Sequence, residues 1–188
     1  MPLRPSLKPL LWSALMSVSL TAGSAAQAAD AENTLYMDLK DGRVTIEMYP
    51  AEAPKHVEQI KALTRKGFYN GIVFHRVIEG FMAQTGDPTG TGAGGSDLPD
   101  LPAEFNSINF GRGVVGMART ADPNSANSQF FICFNDCSFL NGQYTVWGKV
   151  TQGMEFVDKI KRGEPPMDPD KIVKLEVAAD ADKAATAQ

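Results

Sequence analysis

The chain has 188 residues, 43% of them hydrophobic and 21% charged, which is the size and mix of one folded domain rather than a disordered segment. A net charge of −4 and a sequence pI of about 5.2 leave no electrostatic footprint for nucleic-acid binding. Two histidines and two cysteines cannot build an all-cysteine, Cys/His-finger or all-histidine zinc site at the usual spacings.

The first 28 residues stand apart. Arg4 and Lys8 precede an uncharged, mostly apolar run over 10–20, and small residues ending in Ala26-Gln27-Ala28 follow. This is the pattern of a cleaved secretory signal peptide, 1–28. The run is shorter than the roughly 20 apolar residues of a membrane anchor and contains three serines, Ser13, Ser17 and Ser19. The expected location is therefore the periplasm, with no stable membrane insertion. Residues 29–33 form a short polar leader.

Strands are predicted at 34–40 and 43–48, with Asp41-Gly42 as the hairpin turn. Val44, Ile46 and Met48 alternate with Thr45 and Glu47, the pattern of a half-buried strand. A helix starts at Pro54, buries Val57, Ile60 and Leu63, and stops at Gly67. Further strands are predicted at 72–77, 81–85, 114–119, 129–133, 146–150 and 171–178. A second short helix with Phe156, Val157 and Ile160 inward falls between the last two. A long Gly/Pro/Asp loop occupies 86–102, and the Ala-rich stretch 179–188 is expected to be disordered. Eight short strands and two helices within 34–178 predict a mainly β domain, a closed eight-stranded antiparallel barrel with two flanking α-helices. Side chains would fill its interior, so a ligand site belongs on the outer wall.

Few motifs carry chemistry by themselves. Gly90-Thr91-Gly92-Ala93-Gly94-Gly95 contains G-x-G-x-x-G, but Asp87-Pro88 before it and the Pro99 and Pro102 after it deny it the strand and helix of a dinucleotide site. Cys133 and Cys137 are spaced C-x3-C rather than the redox C-x-x-C. A disulfide between them stays open, and Cys133, at the end of an apolar strand, is expected to point inward. His75 reads as a hydrogen-bonded, half-buried histidine. Arg76, on an alternating strand, would share a face with Phe74 and oppose His75 and Val77.

Taken together, Phe74-His75-Arg76-Val77-Ile78-Glu79-Gly80-Phe81-Met82-Ala83-Gln84-Thr85-Gly86-Asp87-Pro88 closely resembles the signature of cyclophilin-type peptidyl-prolyl cis-trans isomerases. The resemblance continues through Gly90-Thr91-Gly92, Gly94-Gly95, Glu104-Phe105, Gly116-Met117-Ala118-Arg119, Asn124-Ser125, Ser128-Gln129-Phe130-Phe131-Ile132 and Tyr144-Thr145-Val146-Trp147-Gly148-Lys149-Val150. It spans about residues 35–177 and looks like the bacterial periplasmic branch. It implies a cyclophilin-like barrel and acceleration of X-Pro rotation during the folding of exported proteins. No cofactor, metal or nucleic acid is implied. The implied partners are proline-containing unfolded or nascent exported polypeptides, met by a monomer.

By the same resemblance Arg76 is the catalytic arginine, and Phe81, Met82, Phe131 and Leu140 wall a proline pocket. Gln84 and Gln129 hold the peptide backbone, and Ala118 and Arg119 lie along the bound chain. Arg119 stands where many eukaryotic members carry Asn. Phe139 and Tyr144 complete the substrate-binding set, standing where cyclosporin-sensitive members carry Trp and His. Two other readings compete. A non-catalytic peptide-binding module would have no use for the Arg76 charge, and a thiol oxidoreductase is disfavoured by the C-x3-C spacing.

Overall fold

The computed structural model describes residues 30–186, so the expected signal peptide lies outside the described residues. Eight strands appear in the expected order: β1 (Thr34–Leu39), β2 (Gly42–Met48), β3 (Arg76–Ile78), β4 (Met82–Thr85), β5 (Val114–Met117), β6 (Phe130–Cys133), β7 (Val146–Gln152) and β8 (Lys174–Val177). All pairings are antiparallel. Helix α1 (Pro54–Arg65) lies against β8, and the single-turn α2 (Met154–Val157) lies against β2. Val57, Ile60 and Leu63 are buried as their spacing demands, and Pro54 occupies the first turn, where a missing N–H costs nothing.

The expected closed barrel is not formed. The strands make one curled sheet in the order β3-β4-β6-β5-β7-β2-β1-β8, a half-barrel whose edges are β3 and β8. Irregular backbone spans the seam instead: Ile172 N–H donates to Ile72 O (2.9 Å), Gly71 N–H to Ile172 O (2.7 Å), and Phe74 N–H to Asp170 O (2.8 Å). The cause is local. The segment facing β3 carries Pro165, Pro166 and Pro169, which have no N–H to give a ladder. Regular strand therefore begins only at Arg76, not at Ile72, and the alternation expected through Phe74 fails: Phe74 is buried in the interior core beside Val77 while Arg76 faces out.

Two further expectations are corrected. The chain leaves β8 as a third helix, α3 (Ala178–Thr186), where a disordered tail was expected. Alanine is the best helix former, and Asp180 in the first turn receives a hydrogen bond from Arg65 Nε (2.9 Å). Cys133 points outward rather than into the barrel. Along β6, Phe130 and Ile132 enter the interior core, whereas Phe131 and Cys133 enter a second apolar cluster with Met82, Phe110, Val114, Cys137, Leu140 and Val146. Both faces of the sheet are thus buried here, and the outer cluster is the floor of the site.

Candidate active site

Strand register builds the site. Arg76 stands opposite Gln84, Gln84 opposite Phe131, Phe131 opposite Gly116, and Gly116 opposite Val146. These five residues form one row across β3, β4, β6, β5 and β7 on the outer face. Gly116 is the gap in that row. A Cβ there would lie 2.5 Å from the ring of Phe110 and 2.6 Å from that of Phe131. Its absence lets those two rings stack with centroids 5.7 Å apart.

Around this floor Arg76, Phe81, Met82, Gln84, Ala118, Arg119, Phe131, Leu140 and Tyr144 line one cavity of about 110 Å³. Phe81 comes from the β3–β4 turn and Leu140 from a single 3-10 turn, Ser138–Leu140. Tyr144 meets Phe131 edge-on at 5.8 Å. The guanidinium of Arg119 lies 4.5 Å above the Tyr144 ring and donates to Gln143 O (2.7 Å) and Thr120 O (2.8 Å). The pocket has an apolar floor and two cationic side chains on its lining.

A second cavity of about 390 Å³ adjoins it and shares Gln84, Ala118 and Arg119. Gln129, expected with Gln84 to hold the peptide backbone, lines this second cavity together with Gln84. Phe139 lines neither cavity; the residue is 62% exposed and its ring rests against that of Phe81 at 5.3 Å. The structure thus brings nine of the expected residues into one pocket, with Gln129 next door and Phe139 outside.

A hydrogen-bond chain ties Arg76 to the glycine loop. Arg76 Nη1 donates to Gln84 Oε1 (3.4 Å), Gln84 Nε2 to Gln129 Oε1 (2.8 Å), and Gln129 Nε2 to Gly92 O (3.0 Å) and Gly94 O (2.8 Å). The glycine loop in turn wraps an anion that the chain itself supplies. Buried Asp87 accepts from the N–H of Thr89 (2.7 Å), Gly92 (2.6 Å) and Gly94 (3.2 Å) and from the Thr89 hydroxyl. Burial acts to raise the Asp87 pKa, but these donors overcome it and hold the carboxyl at about 2. The G-x-G-x-x-G run is therefore an anion nest filled from within.

His75 is buried beneath that loop, with Gly92 packed beside its ring. The Gln129 side chain acts on the ring as a hydrogen-bond neighbour, although neither ring nitrogen meets a partner at full hydrogen-bond geometry among the described residues. Desolvation pushes its pKa down, which favours the neutral ring. Cys133 and Cys137 are both buried and free, not disulfide-linked. The Cys137 neighbour, and then burial, push the Cys133 thiol up, and Cys137 Sγ points at Phe81 O (3.5 Å). The Cys133 contact lowers the Cys137 thiol in turn, and neither cysteine lines either cavity.

The sequence reading missed three contributors. Asp87 and Gly116 fell inside recognised motifs without a role. Glu164, which accepts from Arg76 Nε at 2.8 Å, lies 88 residues away in sequence and left no local signal.

The comparisons with known proteins show the family. Residues 34–177 match the family described as cyclophilin type peptidyl-prolyl cis-trans isomerase/CLD. A probable peptidyl-prolyl cis-trans isomerase of Brucella suis biovar 1 is 55% identical over 183 residues, covering 89% of this chain and 93% of that protein. Peptidyl-prolyl cis-trans isomerase-like 3 of Rattus norvegicus is 45% identical over 134 residues, 69% of this chain and 81% of that protein. The crystal structure of cyclophilin AquaCyp293 from Hirschia baltica superposes with a TM-score of 0.75 at 30% identity, covering 87% of this chain and 82% of that one. A Cryptosporidium parvum cyclophilin type peptidyl-prolyl cis-trans isomerase, solved in the presence of the dipeptide Ala-Pro, gives 0.71 at 29% identity, covering 77% and 98%. With residues 34–177 matching that family and 55% identity to a relative over 89% of its length, the chain belongs to the cyclophilin-type peptidyl-prolyl cis-trans isomerases.

Proposed function

We propose that the chain rotates X-Pro bonds in exported polypeptides, with Arg76 as the catalytic residue. The observation that carries this reading is a guanidinium on the lining of a small pocket whose floor, Met82, Phe131 and Leu140, is apolar. The X-Pro bond resists rotation by about 18–20 kcal/mol because of amide resonance, and uncatalysed exchange takes tens to hundreds of seconds. No bond need be broken, so no nucleophile or proton shuttle is required. As the bond twists, the proline nitrogen regains its lone pair and becomes a better acceptor. A guanidinium aimed at it bonds more strongly in the transition state than in the ground state, which is what lowers a barrier. Arginine stays charged at any working pH.

Met82, Phe131 and Leu140 would grip the ring, and the apolar floor disfavours the polar planar amide. Gln84, Gln129 and the segment at Ala118 and Arg119 would hold the flanking backbone. The signal-peptide pattern over 1–28 supports a periplasmic site of action on newly exported, unfolded chains, and the protein is taken to act there as a monomer. An NMR exchange assay on an X-Pro peptide tests the activity, and rapid cis/trans exchange with purified protein is the expected result. Peptide binding without exchange would favour a binding module. Mass spectrometry of a periplasmic fraction tests the location; a chain beginning near Ala29 is expected, and an intact leader would refute export.

A further inference from the structure

Arg76 is held from outside the pocket as well as from within the sheet. Its Nε–H donates to Glu164 Oε2 at 2.8 Å, and Glu164 does not line the pocket. The backbone sets up this meeting. Val77 N–H donates to Gly163 O (2.8 Å) and Gly163 N–H to Val77 O (2.9 Å), an antiparallel pair that brings the adjoining residues Arg76 and Glu164 together across the seam. The loop carrying Glu164 is fastened at its far end too: Asp170 O accepts from Phe74 N–H (2.8 Å), and the Asp170 carboxylate accepts from Lys161 N–H (2.8 Å) and pairs with Lys40 (2.6 Å). At Gly163, with φ 149°, a Cβ would stand 2.5 Å from Pro166 Cα, so the loop leaves β3 along a path open to glycine.

On the isomerase reading above, we propose that Glu164 is a positioning residue for Arg76. A guanidinium is planar, and its stem has several rotatable bonds. Glu164 at Nε and Gln84 at Nη1 fix two points of the plane, and the remaining Nη donors have no bonded partner among the described residues. Those are the donors left for the proline nitrogen. A carboxylate beside Arg76 also subtracts from its positive field. Both side chains are about half exposed, at 42% and 52%, so water screens that long-range subtraction, while a charge-assisted hydrogen bond keeps its directionality. The orienting effect outweighs the attenuation.

The test is Glu164→Gln, which keeps the shape and removes the charge, assayed on an uncharged X-Pro peptide. The turnover rate should fall about three- to tenfold through lost pre-organisation, with KM and peptide Kd within about twofold. The ¹⁵N–¹H signal of Arg76 Nε should exchange faster in Glu164→Gln than in the wild type, because a neutral amide oxygen is a weaker acceptor than a carboxylate. An active wild type with equal or faster turnover in Glu164→Gln overturns the proposal alone, as does a loss confined to KM. A wild type that binds peptide without isomerising it overturns the isomerase reading and this proposal together.

Discussion

Arg76, the proposed catalytic residue, and Gly116 act on the pocket in two different ways, one through charge and one through space. Arg76→Ala should leave the fold and most peptide affinity intact, because the pocket floor is built by Met82, Phe131 and Leu140. Exchange should slow on the order of 10²-fold, the loss of a hydrogen bond to a charge plus its field. Arg76→Lys should restore only part of that rate, since an ammonium lacks the planar fork. A paired exchange assay and binding titration on the same peptide checks both. Gly116→Ala acts through space rather than charge. The added methyl falls within 2.6 Å of both the Phe110 and Phe131 rings, so Phe131 must rise into the pocket. Peptide affinity should drop about tenfold and stability by about 1–3 kcal/mol from overpacking, read by titration and by denaturant unfolding.

At the scale of the element, the loop 86–102 is organised by Asp87. Asp87→Asn turns part of an acceptor-only group into a donor facing N–H groups, and should cost about 1–3 kcal/mol of stability. The pH dependence follows from the depressed carboxyl. With the folded-state pKa at about 2 against an ordinary 3.8, the contribution is complete above 3.8 and drains away as pH falls toward 2. Acid unfolding of Asp87→Asn should lack that component. How much of this could be read from the chain divides along the range of the interactions. The hairpin at Asp41-Gly42, the alternation of Val44, Ile46 and Met48, and the stripe Val57, Ile60, Leu63 are set by neighbours a few residues apart, and they were legible. The pocket set was legible only because family motifs carried it. What lay beyond local pattern was decided at long range: Glu104, a loop residue, accepts from the N–H of Lys55 and His56 at the start of α1 (3.1 Å each), and Glu164 meets Arg76 across the seam.

For the molecule as a whole, burial of both sheet faces around β5 and β6 makes the floor of the site part of a core. Phe131, Cys133 and Val146 belong to the outer cluster while their strand neighbours Ile132 and Trp147 belong to the inner one. The seam is the contrasting region, closed by isolated bridges at Val73–Lys171 and Val77–Gly163 rather than by a continuous ladder. Local opening follows such differences. Hydrogen exchange should therefore release the amides of Val77 and Gly163 sooner than those of Val115 and Ile132, and equal protection across both regions would contradict this ranking.

The open seam also leaves the enzyme adjustable. A strand beside β3 would lock its neighbour's length to the hydrogen-bond register, so that inserting a residue would flip every following side chain. A loop imposes no such rule between Gly163 and Asp170. Segments of other lengths or charges can be grafted there while the ladder and the pocket floor stay as they are. Rate then becomes separable from recognition: selection, or an engineer, can vary how firmly Arg76 is aimed without altering which peptides the pocket accepts.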